Sequence, residues 1–156
     1  MFFKIISKFF KKNKEIKSVF NFPKAKIGKF KFKKKECDNI WPTIFPTSCI
    51  STRRLNFFKF IKFLQSTKYP NLEIDARFAI FSKFINNEFF YIKKKLTIYN
   101  DDPEGITSNI KKFSRKWWLR RNQAIKYLEY ILKFKKKKME FSFDFFITKI
   151  ISEILH

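Results

Sequence analysis

Histidine is almost missing from this chain: there is one in 156 residues, and it is the last, His156. Without an internal histidine, no Ser-His-Asp or Cys-His set can be assembled. Glycine is nearly as scarce, at 2, and Gly28 and Gly105 stand alone. A Walker loop or a Rossmann fingerprint therefore cannot be written. Cys37 and Cys49 form no CxxC pair and lie too far apart to suggest zinc; a reduced, cytoplasmic chain without a resident metal is expected. Long apolar runs are absent too. The opening MFFKIISKFFKK is broken by lysines, so neither a signal peptide nor a spanning helix is expected. Acidic residues number only 13, against 36 lysines and arginines.

What is present in their place is lysine and phenylalanine. The net charge is +23, and 24 residues are Phe. Such a charge attracts phosphate-bearing partners and repels itself. The joint abundance of Lys, Phe, Ile and Asn with so little Gly is also what AT-rich codons produce, so basicity alone does not identify nucleic-acid binding. At 45% hydrophobic residues the chain can bury a core and is no disordered polycation. Its length fits a single domain over residues 1–156.

Periodicity yields the elements. Phe2, Phe3, Ile6, Phe9 and Phe10 give an amphipathic helix ending near Asn13. Residues 16–22 alternate as a strand that Pro23 should end, and residues 27–32 alternate again. The stretch from Asn39 to Arg54, NIWPTIFPTSCISTRR, is lysine-free. Pro42 and Pro46 stiffen it, residues 47–52 read as a short strand, and Thr52 is the expected cap of a helix starting at Arg53. A break at Tyr69–Asn71 precedes a helix capped by Asn71 with a stripe of Ile74, Phe78, Phe81 and Ile85. Residues 88–92 and 96–99 read as two strands split by Lys93–Lys95. One long helix is expected from Ile106 to about Lys136 and a last one over 141–155. The fold class is α/β, an α+β fragment with a small mixed sheet flanked by helices and long C-terminal helices.

For chemistry, the carboxylates Glu73 and Asp75 stand in the first turn of the expected Asn71 helix, where the dipole favours anions. Asp75 lies beside the core stripe, where a carboxylate can act as a general base. The competing reading is dipole compensation with a Glu73–Arg77 pair. The run FSRKWWLRR sets Trp beside Arg, a combination that stacks on bases or sugar rings. On a helix, Trp117 and Trp118 point about 100° apart, so one belongs to the core and the other to the surface.

Taken in order, WPTIFPTSCISTRR, NLEIDARFA, FFYIKKKLTIYN and KFSRKWWLRRNQA resemble the acceptor-side, C-terminal part of family 2 glycosyltransferases with the GT-A fold, over about residues 15–132. The resemblance implies sugar transfer from a nucleotide-sugar to an acceptor hydroxyl, with Asp75 as the base and Glu73 in reserve. It implies an acceptor groove lined by Trp41, Thr47 and Ser48, and Arg53 or Arg54 near the donor phosphates. The family's nucleotide-binding half and its metal-binding D-x-D are not matched here. The expectation is therefore a truncated chain, inactive alone and with no cofactor of its own. The nucleotide-sugar and divalent metal belong to the complete enzyme, whose N-terminal half another chain would supply.

A second class competes with this one: a non-catalytic basic module for nucleic acid or an anionic membrane surface, acting through Lys33–Lys35, Lys93–Lys95 and Arg115–Arg121. Specific nucleic-acid binding is the less favoured of the two. Peripheral contact with the inner face of a membrane is compatible with the C-terminal helix, where Phe141, Phe145 and Ile150 stand beside Lys149, but packing of that helix onto the core is the favoured expectation.

Overall fold

In a computed structural model of the chain, the described residues are 2–25, 44–65, 67–86, 88–99, 110–139 and 142–155. The expected strand at 27–32, the Lys33–Lys35 cluster and Trp41 lie outside them. Among the described residues the fold is mixed α+β, with a small three-stranded mixed sheet and five α-helices. These residues gather into two compact units, one of residues 1–64 and 74–101, the other of 65–73 and 102–156.

The first unit holds the sheet. Its order is β2 (Ile50–Thr52), β1 (Ser18–Ala25), β3 (Phe89–Tyr99), with β1 antiparallel to β2 and parallel to β3. Alternation along β1 sends successive side chains to opposite faces. Val19 packs with Ile6 of α1 (Phe2–Lys12) and Ile92 on one face. Phe20 meets Phe78 of α3 (Ile74–Phe81) on the other, with centroids 6.1 Å apart. Helices therefore cover both faces. The second layer is aromatic: Phe60 of α2 (Arg54–Ile61) stands edge-on to Phe78 at 4.9 Å, and Phe45 stacks on Tyr91 at 5.5 Å. The abundance of phenylalanine thus builds a core as well as reflecting composition.

Four expectations change here. Pro23 does not end its strand, because β2 pairs only with Ser18–Phe20. By Pro23 the strand has one described neighbour, β3, and the ladder shifts register at that point. A residue without an N–H is tolerated at such an edge or bulge. Lys93–Lys95 do not split a strand either. β3 runs unbroken, all three lysines are exposed, and Lys93 and Lys94 stand as extra residues between the pairs Asn21–Ile92 and Phe22–Lys95.

Residues 47–49 form a 3-10 turn before β2, because the carbonyl of Pro46 accepts from the Cys49 N–H at 2.7 Å. α3 starts at Ile74 and not at Asn71. It is buried almost throughout, from Ala76 to Phe81, whereas Ile74 is 47% exposed, so the expected stripe loses its first member.

The second unit has α4 (Arg115–Phe134) and α5 (Phe143–Ile154), with Tyr127, Leu128, Ile131 and Phe145 buried. Tyr69 and Leu72 are buried as well, and Tyr69 stands edge-on to Tyr127 at 5.4 Å. The N–H of Asn71 donates to Gln123 Oε1 at 2.8 Å, and the residue stands three before the start of α3. α4 begins later than Ile106 because Ser114 is its cap: the Ser114 hydroxyl accepts from Trp117 N at 3.2 Å, after Phe113 at φ 65. Its far end closes with Lys136 at φ 54 and bonds from Lys136 N to Lys133 O and from Lys137 N to Leu132 O. That is a Schellman closure, in which glycine normally takes the left-handed residue.

Candidate functional site

The site proposed from sequence begins at the 3-10 turn. Phe45 and Cys49, on either side, are fully buried, and between them Thr47 and Ser48 are exposed. Two inward anchors thus turn two hydroxyl-bearing residues outward. The turn is tied to the sheet by Thr97 of β3, whose hydroxyl donates to the Ser48 carbonyl at 3.3 Å. Burial pushes the Cys49 thiol above its ordinary range, with hydrogen bonds to Thr97 and Ser48 opposing that shift.

β2 then delivers Thr52 into a polar cluster, which is why it does not cap α2. Thr52 Oγ1 donates to the Lys17 carbonyl at 3.1 Å and lies 3.2 Å from Ser18 Oγ. Asn56 Nδ2 donates to both hydroxyls at 2.9 Å, and Asn86 Nδ2 donates to Asn56 Oδ1. Ser18 and Asn56 are buried. Each polar group named here has a partner, as a dry interior requires.

The two arginines after Thr52 part company. Arg53 caps α2 through its backbone and turns its guanidinium to the end of α1. Its Nε donates to Ile16 O at 2.9 Å, and its Nη2 donates to Phe10 O at 2.7 Å and Asn13 O at 3.1 Å. The guanidinium carbon also stands 4.9 Å from the Phe10 ring centroid. It satisfies carbonyls that a helix C-terminus leaves open. Arg54 is exposed. Of the pair, Arg54 is the one presented to solvent.

The two carboxylates also separate. Asp75 lies half-buried in the first turn of α3, where its Oδ1 accepts from Ala76 N at 2.8 Å. Glu73 belongs to the second unit and is ion-paired with Arg120, Nε to Oε2 at 2.7 Å. The expected pairing with Arg77 gives way to this one; Arg77 is buried and its Nη1 donates to the Leu64 carbonyl at 3.0 Å. Thr47, Ser48, Arg53, Arg54 and Asp75 therefore share the first unit, and Glu73 does not.

The start of α4 is an intramolecular lattice. Arg121 donates to Thr148 Oγ1 at 3.0 Å and pairs with Asp144, while its guanidinium lies 5.2 Å from the Trp117 ring. Arg115 donates to the Leu155 carbonyl at 3.0 Å. Both tryptophans are half-buried and meet edge-on at 4.6 Å, so neither is a core residue and neither is a fully exposed platform.

Sequence reading missed one feature, a cavity of about 470 Å³ in the second unit, with Ile125, Met139, Phe145 and Phe146 as its apolar wall. None of the predicted site residues lines it. Its elements pack through residues about 20 apart, a spacing outside any local pattern. Among the described residues, no group of three or more His, Cys, Asp or Glu is placed to hold a metal, and no helix is long and apolar enough to cross a membrane. No family model, no curated protein and no solved structure matches the chain.

Proposed function

We propose that this chain is the acceptor-side part of a sugar-transferring enzyme of the family 2 glycosyltransferase kind. The observation that carries the reading is the outward turn of Thr47 and Ser48, pinned to β3 by Thr97, within the same compact unit as the helix headed by Asp75. Hydroxyls on a rigid turn suit a polyhydroxylated acceptor. A half-buried carboxylate at a helix start suits removal of the acceptor's proton as its oxygen attacks the anomeric carbon and the bond from that carbon to the nucleotide phosphate breaks, the phosphate leaving with the electron pair. Asp75 takes the role of base because it stands half-buried in the first turn of α3, in the unit that carries the turn, and Arg54 the donor-phosphate contact because it is exposed. The nucleotide-sugar and its divalent metal come with a partner chain carrying the donor half.

Titration of the isotopically labelled chain with a panel of oligosaccharides tests this. The expected result is saturable shifts at the amides of Thr47, Ser48 and Asp75. Shifts confined to residues 110–155, or no response to any sugar, would overturn it. In a chain complemented with a donor half, Asp75→Asn is expected to lower transfer by about 10²–10⁴-fold, the usual worth of a positioned base. Glu73→Gln is expected to leave the rate of transfer within a few-fold of wild type.

A further inference from the structure

We propose that the outward face of α2 docks on an anionic lipid bilayer. This inference shares Arg54 with the sugar-transfer reading but rests on the apolar residues and lysines of the helix, and its test leaves Arg54 unchanged. The helix Arg54–Ile61 has the sequence RLNFFKFI, and only Asn56 and Phe60 are buried. Opposite them it exposes Leu55 at 82%, Phe57 at 43%, Phe58 at 49% and Ile61 at 46%. At 100° per residue, Phe58 lies at the crest of this face and Leu55 and Ile61 beside it. A cluster of large apolar side chains on one exposed helix marks an interaction surface, where scattered ones would not.

Charge identifies the occupant. Arg54, Lys59 and Lys62 are exposed on or beside the same face, and the helix has no acidic residue. Arg54 stands over the Phe58 ring at 5.4 Å. Long cationic side chains can lift their heads to lipid phosphates while their stems and the neighbouring rings settle at the acyl boundary. A second copy of this chain would set these cations against one another. A nucleic acid would satisfy the cations and leave Leu55 and Ile61 without a partner. An anionic membrane surface satisfies both sets.

The test is co-sedimentation of the full chain with phosphatidylcholine vesicles, with and without phosphatidylglycerol. Wild type is expected to bind only the anionic vesicles. Leu55→Ser/Phe58→Ser and Lys59→Gln/Lys62→Gln are each expected to weaken that binding by about tenfold or more, as loss of buried apolar area and of near-surface charge requires. Phe143→Ser, a change at an exposed residue of α5, is expected to bind like wild type. Because the first variant can be checked for folding only by its melt, Phe58→Trp supplies a second readout. Its fluorescence should be quenched by lipids brominated on the acyl chains. Binding that depends on the lysines but ignores Leu55 and Phe58, or an unquenched Phe58→Trp, overturns the proposal. So does a stable dimer that vesicles fail to dissociate, or nucleic-acid binding that the Leu55→Ser/Phe58→Ser change weakens.

Discussion

Arg53 shows how a cation in a basic protein is diverted from ligand binding by its own backbone. Three carbonyls, of Phe10, Asn13 and Ile16, accept from its guanidinium. Replacing it with Ala should cost about 2 kcal/mol, the usual worth of charge-assisted bonds to a partly buried partner. Lys should not restore this, because one ammonium cannot reproduce the guanidinium fork. Urea denaturation of both variants measures it, and an Arg53→Lys chain as stable as wild type would contradict the role. Cys49 gives a second prediction at this scale. With Cys37 replaced by Ser, the remaining thiol should react with iodoacetamide far more slowly in the folded chain than in urea. Its raised value means that the folded state holds the proton more tightly. Stability from this group is complete below the ordinary thiol range and is lost as pH rises from there through the raised folded range. A pH series of urea melts checks that sign.

At the scale of elements, scarcity of glycine leaves its mark on chain geometry. Phe113 and Lys136 sit at positive φ beside the two ends of α4. A side chain with a Cβ pays roughly 1–2 kcal/mol there. Lys136→Gly should therefore raise stability by about 1 kcal/mol, less the backbone entropy that glycine adds to the unfolded chain. A thermal melt should show a higher midpoint, and a lower one would mean that Lys136 makes a compensating contact.

Periodicity made α1, α5 and the burial of Phe78, Phe81 and Ile85 legible, since an amphipathic stripe reports directly on a core. Pro23 and Lys93–Lys95 misled for the opposite reason. Their local meaning is a break, but a half-open strand edge and a bulge absorb them. The residues proposed for the site could be named from sequence, but their partners could not. Asp75 keeps its place at a helix start, while Glu73 is claimed by an arginine 47 residues away and Arg53 by carbonyls about 40 residues upstream. No window of sequence contains those partners.

For the whole molecule, charge dominates. A net +23 on 156 residues carries a self-repulsion that folding must overcome. Raising salt from about 0.01 M to about 0.15 M shortens the screening length from about 30 Å to about 8 Å. The melting temperature should rise over that range, and calorimetry that showed a fall would mean that the surface ion pairs, such as Lys17 with Glu88, outweigh the repulsion. The aromatic core is the counterweight. Phe20 touches Phe45, Phe78, Phe89 and Tyr91. Phe20→Ala should cost about 3–5 kcal/mol, which is a large share of a domain's margin.

The irregular pairing of β1 with β3 makes the strand behave like a coding frame. Two residues, Lys93 and Lys94, are surplus at the first shift, and one, Leu96, at the second. Side chains in a strand alternate with a period of two. Removing Lys93 and Lys94 together would leave Thr97 still facing the Ser48 turn, a silent edit. Removing either one alone would leave a single surplus residue, the count that Leu96 already makes at the second shift. Natural or engineered length variation in this chain should therefore come at that place.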